Sequence, residues 1–448
     1  MVENKKLIET KSTFGHPSGL YVLFFTELWE RFSYYGMRAL FTLFLVAKTD
    51  SENPGFGWTN SEAIALYGWY TMLVYLSSLP GGWIADKILG QKKTVMLGGI
   101  LLCIGHTILA FDNEFSFYLG CFFVILGVGG LKPNISSMVG GLYQKGDERR
   151  DLGFYIFYMG INIGGFAAPI LCGWVGETYN WHYGFGLAAI GMFFGQLTYF
   201  YGQRYLVGVG DFIGKSSHPD NKLIKHKLTQ VERDRIKILL ISFLLIIIFW
   251  GAFEQAGGLM NLYAKQKTDR MLLGIEIPAS WFQSLNSFFI ITLAVSVGGF
   301  WMRMKLKGKE ASSLYKIAIG ILIMGFGFMF MRFASSDYEV YGKSAMYWLI
   351  LAYLFHTIGE LCASPVSLSF ITKLAPLKYS SSIMGLYWAA TGLGNKLAAA
   401  IGGFAEQAGE KQIFTGIFIF CTLIALLVIL LLKQLKKLTH GAEELQKI

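Results

Sequence analysis

Glu27-Leu28-Trp29-Glu30-Arg31-Phe32-Ser33-Tyr34-Tyr35-Gly36 lies inside the first long apolar run of the chain, roughly residues 20–46. A run of that length is long enough to cross a bilayer as a helix, which takes ~20 residues. Yet it carries Glu27, Glu30, Arg31 and Arg38. Each such charge near the bilayer centre costs at least ~2.5–3.5 kcal/mol. Four of them in one span cannot face lipid. At the helical repeat, Glu27, Glu30, Arg31, Tyr34 and Arg38 fall in one stripe. That stripe is expected to face a protein-lined cavity that water can reach, and the rest of the chain reads as the wall of that cavity.

The composition agrees. Apolar residues make up 54% of the 448 and charged ones only 15%, against about 25% charged in a soluble domain. Twelve apolar spans follow, at roughly 20–46, 62–84, 94–111, 116–140, 152–178, 183–206, 236–262, 279–301, 314–332, 344–371, 380–405 and 412–432. The fold class is therefore all-α, a polytopic membrane protein with six spans on each side of a polar segment. The expected units are a first bundle at 1–206, a linker at 207–235 with a short amphipathic helix near Thr229 to Ile236, a second bundle at 236–432 and a tail at 433–448. The polar start, Met1 to Thr13, does not resemble a cleavable signal. Cys103, Cys121, Cys172, Cys362 and Cys421 all sit in apolar runs without ligand spacing, and they read as core residues.

The net charge of +10 is a topology signal. One set of loops and the tail hold Lys87, Lys92 and Lys93, then Lys145, Arg149 and Arg150, the basic residues from Lys215 to Lys237, Arg303, Lys305, Lys307 and Lys309, Lys373 and Lys378, and Lys433, Lys436 and Lys437. The other loops hold Lys48, Lys265, Lys267, Arg270, Lys343 and Lys411. The bias predicts both termini in the cytoplasm of a multi-pass inner-membrane protein. It leaves no case for a nucleic-acid partner. No Walker motif, metal-ligand cluster or nucleophile arrangement is present, so neither an enzyme nor an ATP-driven pump is expected, and no cofactor.

Further polar residues interrupt the spans. Lys132-Pro133-Asn134 lies in the fourth and Phe157-Tyr158-Met159-Gly160-Ile161-Asn162 in the fifth. Glu254 lies in the seventh, Gln283 and Asn286 in the eighth, His356 and Glu360 in the tenth, Trp388 and Lys396 in the eleventh. Glu254 and Glu360 are isolated in apolar surroundings, where a carboxylate must find a partner or take up a proton. Asn162 can both donate and accept, as a peptide backbone requires. Its bland alternative is an interhelical hydrogen bond. His106 and His356 read as satisfied core histidines, Lys396 as a snorkelling or packing residue. Trp388 reads equally as a pocket wall or as packing.

Glu27-x-x-Glu30-Arg31-Phe32-x-Tyr34-Tyr35-Gly36 resembles the first-helix signature of the proton-coupled oligopeptide transporters, a branch of the major facilitator superfamily. The second to third span junction, Gly82 to Lys93 with Asp86, resembles the superfamily's loop motif, in which the acid ties the loop to a neighbouring helix end. The resemblance implies a major facilitator fold, two six-helix bundles around a central cavity. It implies that Lys132 faces that cavity as a carboxylate-binding or coupling residue. It further implies that Arg38 pairs with Glu254, that Glu360 holds the substrate's amino terminus, and that Asn286 and Tyr75 contact substrate. Bacterial members usually carry two additional helices in the linker, and animal relatives a large outer domain after the ninth span. Val207 to Arg235 and Phe333 to Lys343 are too short for either.

Arg31 and Lys132 come from one half of the chain and Glu360 from the other, so a zwitterion can bridge them. The expected function is proton-coupled import of di- and tripeptides by alternating access. Arg31, Tyr34, Tyr35, Tyr75, Lys132, Asn162, Asn286, Glu360 and Trp388 would contact peptide. Glu27, Glu30, Arg38, Glu254 and Glu360 would couple protons, the sole coupling ion, in a monomer embedded in the lipid bilayer. The alternatives are a carrier of nitrate or another small anion, an exporter of drug-like molecules, and a non-transporting peptide sensor.

Overall fold

The computed structural model describes residues 12–144, 147, 149–212, 229–309, 311–374 and 380–441. Twelve long helices carry the chain through these residues. The first six are α1 (Ser18–Val46), α2 (Asn60–Leu76, resumed as Ser78–Ile84), α3 (Gln91–Leu109), α4 (Glu114–Gly141), α5 (Arg149–Thr178) and α6 (Trp181–Gly202). The second six are α7 (Gln230–Phe253, resumed as Leu259–Lys267), α8 (Ser284–Leu306), α9 (Ser313–Tyr341), α10 (Met346–Leu374), α11 (Ser380–Gly403) and α12 (Glu410–Lys437). Eight of these, α3, α4, α5, α7, α8, α9, α10 and α12, are long and apolar enough to cross a membrane. The charges in α1 set it apart from them. The strands are two-residue pairs at loops and at the start of the described chain: Ser12–Thr13 antiparallel to His16–Pro17, Met271–Leu272 antiparallel to Ile275–Glu276, and Thr268–Asp269 parallel to Ser344–Ala345.

Three boundaries differ from the sequence expectation. Thr229 and Glu232 form a capping box that starts α7, with Thr229 N donating to Glu232 Oε2 at 2.8 Å. The expected separate helix near Thr229 to Ile236 is thus the first two turns of α7. Helix α9 runs on through Phe333 to Tyr341 and stops at Gly342 (φ +71°), so most of the expected Phe333 to Lys343 loop is helical. Helix α12 continues to Lys437. Hydropathy marks where an apolar stretch ends, and a helix with good capping can extend past that point. The linker residues 213–228, with Lys215 and its neighbours, and the tail residues 442–448 lie outside the described residues.

Within the first bundle α1 packs on α5 and α6, and α3 on α4. Within the second α9 packs on α10 and α12. The bundles meet along two seams, α2 on α11 and α5 on α8. Both seams depend on glycine. A Cβ on Gly68 would fall 2.1 Å from the Ala399 methyl, and one on Gly173 2.0 Å from Ser280 Oγ. Small residues let backbones come this close where no hydrophobic drive separates helix from lipid. Inside α4, Pro133 leaves the Gly129 carbonyl without its helical donor. Gly81 of α2 packs against that carbonyl; a Cβ there would sit 1.9 Å away. The junction after α2 is held by Lys92, whose Nζ donates to Leu206 O at 3.3 Å. Asp86 is exposed and makes no ion pair among the described residues, so the expected tie through Asp86 is replaced by one through Lys92.

The seams close at the end of the molecule that is poor in basic residues. There Asn60 and Gln266 exchange amide hydrogen bonds at 3.1 and 2.9 Å. Asn261 Nδ2 donates to Ala39 O at 3.0 Å and to Thr42 Oγ1 at 3.2 Å. Glu177, at the end of α5, is gripped by the opposite bundle. Its carboxylate accepts from Lys265 Nζ (3.0 Å), Ser280 N (2.9 Å), Ser280 Oγ (2.7 Å) and Ala279 N (3.2 Å).

Candidate functional site

The charged stripe of α1 is buried in protein: Glu30 is 0% exposed, Glu27 and Arg31 3%. Burial of three charges requires that they satisfy one another. Arg31 binds Glu30 through two nitrogens, with Nη2 donating to Oε1 at 2.6 Å and Nε donating to Oε2. Arg31 Nε also lies 3.2 Å from Glu27 Oε1. Glu27 Oε2 has no partner among the described residues. Tyr34 and Tyr35 put their rings 5.2 and 6.0 Å from the Arg31 guanidinium carbon. These are cation–π distances.

Two turns further along α1, Arg38 crosses to the second bundle. Its Nη2 lies 2.9 Å from Glu254 Oε1. Its Nε donates to Tyr67 Oη at 2.7 Å, and Tyr67 Oη in turn donates to Glu254. The pairing expected for Arg38 and Glu254 is present, but it is a triad. Sequence reading missed Tyr67. The available signal was that Tyr67, Thr71 and Tyr75 repeat at four-residue spacing on one face of α2. Replacing Tyr67 by Phe is expected to leave Arg38 Nε buried without an acceptor. The destabilisation should be ~1–3 kcal/mol, read as a lower melting temperature of the detergent-solubilised protein.

Lys132 does not snorkel away. Its ammonium sits over the Tyr75 ring at 4.1 Å and the Trp388 ring at 5.4 Å, and those two rings stack at 6.0 Å across the α2–α11 seam. Trp388 is thereby placed beside the Lys132 ammonium as well as against Tyr75. Lys396 lies over Trp69 at 4.3 Å, a packing role as expected. Across the hollow, Asn286 Nδ2 donates to Glu360 at 2.8 Å and to Thr357 Oγ1 at 3.1 Å. Glu360 is within electrostatic reach of Arg38 and Glu254. Tyr35 and Tyr158 are within reach of Glu360 in turn. Asn162 is 3% exposed, and its amide donates to Tyr158 O of its own helix at 2.9 Å. The interhelical bond considered from sequence is not what it makes.

The side chains separate by exposure. Glu27, Glu30, Arg31, Arg38 and Glu254 are buried, whereas Tyr35, Tyr75, Lys132, Asn286, Glu360 and Trp388 are half-buried. The second group is partly open to its surroundings, and the first is enclosed. Sequence reading also missed Thr357, which carries no charge to mark it, and named Tyr158 without giving it a role. His106 and His356 are buried, but both nitrogens of each ring lack a partner among the described residues. They are core residues without the hydrogen bonds expected of them. His356 instead lies against the Phe328 ring at 4.5 Å.

The chain resembles known proteins along nearly all of its length. The chain is 36% identical to the peptide transporter YePEPT of Yersinia enterocolitica, over 97% of this chain and 98% of that one. It is 33% identical to a di-/tripeptide transporter of Lactococcus lactis subsp. cremoris, over 96% and 97%. The alignment to YePEPT runs over 504 positions, more than the 448 residues of this chain, so the relative carries segments absent here. A solved peptide transporter POT, a variant in complex with alafosfalin, superposes with a TM-score of 0.89 at 32% identity, covering 96% of this chain and 97% of that one. The POT family model matches residues 92–210 and 213–416. With its major facilitator fold and a match over most of its length, the chain belongs to the POT family.

Proposed function

We propose that the protein is a proton-coupled symporter that imports di- and tripeptides by alternating access, a carrier and not an enzyme. The observation that carries this reading is the placement of opposite charges on the two bundles. Lys132 and Arg31 belong to the first, and Glu360, held by Asn286, to the second. Two curated relatives named as peptide or di-/tripeptide transporters support the substrate class.

A peptide carboxylate would draw Lys132 off its aromatic platform and take the Arg31 Nη1 donors, which Glu30 and Glu27 leave uncommitted. The ammonium would meet Glu360 and the Asn286 carbonyl oxygen, with Asn162, Tyr34, Tyr35, Tyr75 and Trp388 around the backbone and side chains. Fixing both ends limits length, since each added residue extends the chain by up to ~3.6 Å. Side chains are left largely unread.

For the proton, Glu27 is better placed than Glu30. Its second oxygen has no partner, so a proton there breaks no bond, whereas one on Glu30 would break the double contact to Arg31. Glu254 is the second carrier: neutralising it releases Arg38 and loosens the contact between bundles. Residues 1–206 and 236–432 would rock as two bodies joined by 207–235, with both termini in the cytoplasm of the inner membrane, working as a monomer. An anion-only carrier is disfavoured because Glu360 lines the same space.

Labelled dialanine supplied to proteoliposomes tests this. Uptake above equilibrium is expected with an inward proton gradient, and only equilibration without one. An excess of dialanine with a free amine should compete, and N-acetyl-dialanine amide should not. Nitrate accumulation, or no peptide accumulation, would overturn the reading.

A further inference from the structure

Helix α8 is the least enclosed of the apolar spans: 11% of its apolar window is buried, against 44% or more for α3, α4, α5, α7, α9 and α10. Its packing is on α5 and α10. Between its second half and α9, α10 and α12 lies a groove of about 740 Å³, within the ~300–1,000 Å³ of small-molecule sites. Phe300, Trp301, Ile319, Ile323, Ile358 and Leu432 form its walls. Lys309 and Lys436 stand at one end, and the lining contains no carboxylate among the described residues. Both lysines are exposed and make no ion pair among the described residues. Ser312, which caps the start of α9 by accepting from Tyr315 N at 3.4 Å, opens on the same groove, so the positive end of that helix dipole adds to the lysines.

We propose that this groove is a binding site for an anionic phospholipid. One acyl chain lies along the apolar walls, and the phosphate is held at the Lys309 and Lys436 end. The site requires a ligand with a long apolar body and a negative head, which is the chemistry of such a lipid. It opens at the end of the bundle that carries the basic loops, which by the orientation proposed above is the anionic cytoplasmic leaflet. A second copy of the chain fits less well. In a two-fold contact each rim would face its own counterpart, bringing like charges together. The groove is distinct from the peptide site, since none of its lining residues belongs to the charged core described above, although Ile358 and Cys362 flank Glu360 on α10. It offers a way for lipid to steady α8, which carries Asn286 near its start.

The test needs no transport, so its failure would be distinct from failure of the transport reading. Protein in nanodiscs of phosphatidylcholine doped with phosphatidylglycerol is released into native mass spectrometry. Wild type is expected to retain phosphatidylglycerol in preference to phosphatidylcholine. Lys309→Gln/Lys436→Gln should reduce that retention by about 25-fold, taking about fivefold per lysine beside an anionic surface. Ile323→Trp, which fills the groove and leaves the lysines, should reduce both lipids. Equal retention of phosphatidylglycerol by wild type and both variants would overturn the proposal, as would a dimer that Ile323→Trp dissolves. A membrane-impermeant amine reagent that labels Lys309 only in opened vesicles fixes the leaflet independently.

Discussion

Glu254→Gln is expected to abolish proton-driven accumulation of peptide while leaving peptide exchange within about threefold of wild type. The carboxamide keeps the shape of the carboxylate and can still accept from Arg38 and Tyr67. It cannot alternate between charged and neutral forms, so it holds the site in its protonated likeness. A carrier in that state still rocks when loaded on both sides, which is what counterflow measures. Position 254 then has no proton to release, so the Arg38 pairing cannot reset after each cycle, and a proton carried on Glu27 alone no longer drives net uptake. The choice of Gln matters, because Leu would strand the Arg38 guanidinium among buried neighbours at a cost of about 3–5 kcal/mol, and loss of folding would mask loss of coupling. The measurement is a pair of assays on one preparation, counterflow and gradient-driven uptake. Full accumulation by the variant would remove Glu254 from the coupling path.

The second large effect is expected at Glu360. Glu360→Gln should weaken binding of a free dipeptide about 30-fold, the lower end of the ~2–5 kcal/mol seen when one partner of a hydrogen-bonded charge pair is cut. The lower end is apt because Glu360 is only half-buried, and water shares the work. The sharper readout is selectivity. Wild type should prefer a free amine over an N-acetylated peptide by a factor of that size, and the variant should prefer neither. Binding to the purified protein by calorimetry gives both numbers. A variant that keeps the preference would place the ammonium elsewhere and undo the end-to-end mode of recognition.

The parts of the site that the sequence made legible were those that break a rule of the bilayer. Glu27, Glu30, Arg31, Arg38, Glu254 and Glu360 stand out because a charge in an apolar run demands an explanation, and the structure places them in and beside the space between the bundles. Tyr67 breaks no rule. A tyrosine in a membrane helix is ordinary until the partner on another helix is seen to need its hydroxyl. Lys132 was legible as a cation but not as one resting on two rings, because Tyr75 and Trp388 come from different bundles and meet only on folding. Helix ends were misplaced for a physical reason. Thr229 to Ile236 and Phe333 to Tyr341 are too polar to extend an apolar run, yet each satisfies the backbone as well as the apolar turns beside it. Nothing in the sequence marks Glu177, and only the approach of Lys265 and Ser280 gives it meaning.

That last contact has a consequence for the working rhythm of the molecule. One carboxylate at the mouth receives four donors from the facing half, two of them backbone amides at the beginning of a helix. Once Ser280 leaves the hollow beside Gly173, Glu177 loses two of those donors and keeps Lys265 as its charged partner. In the import cycle proposed above, opening at this end requires that knot of donors to be untied together with the Asn60–Gln266 and Asn261 contacts beside it.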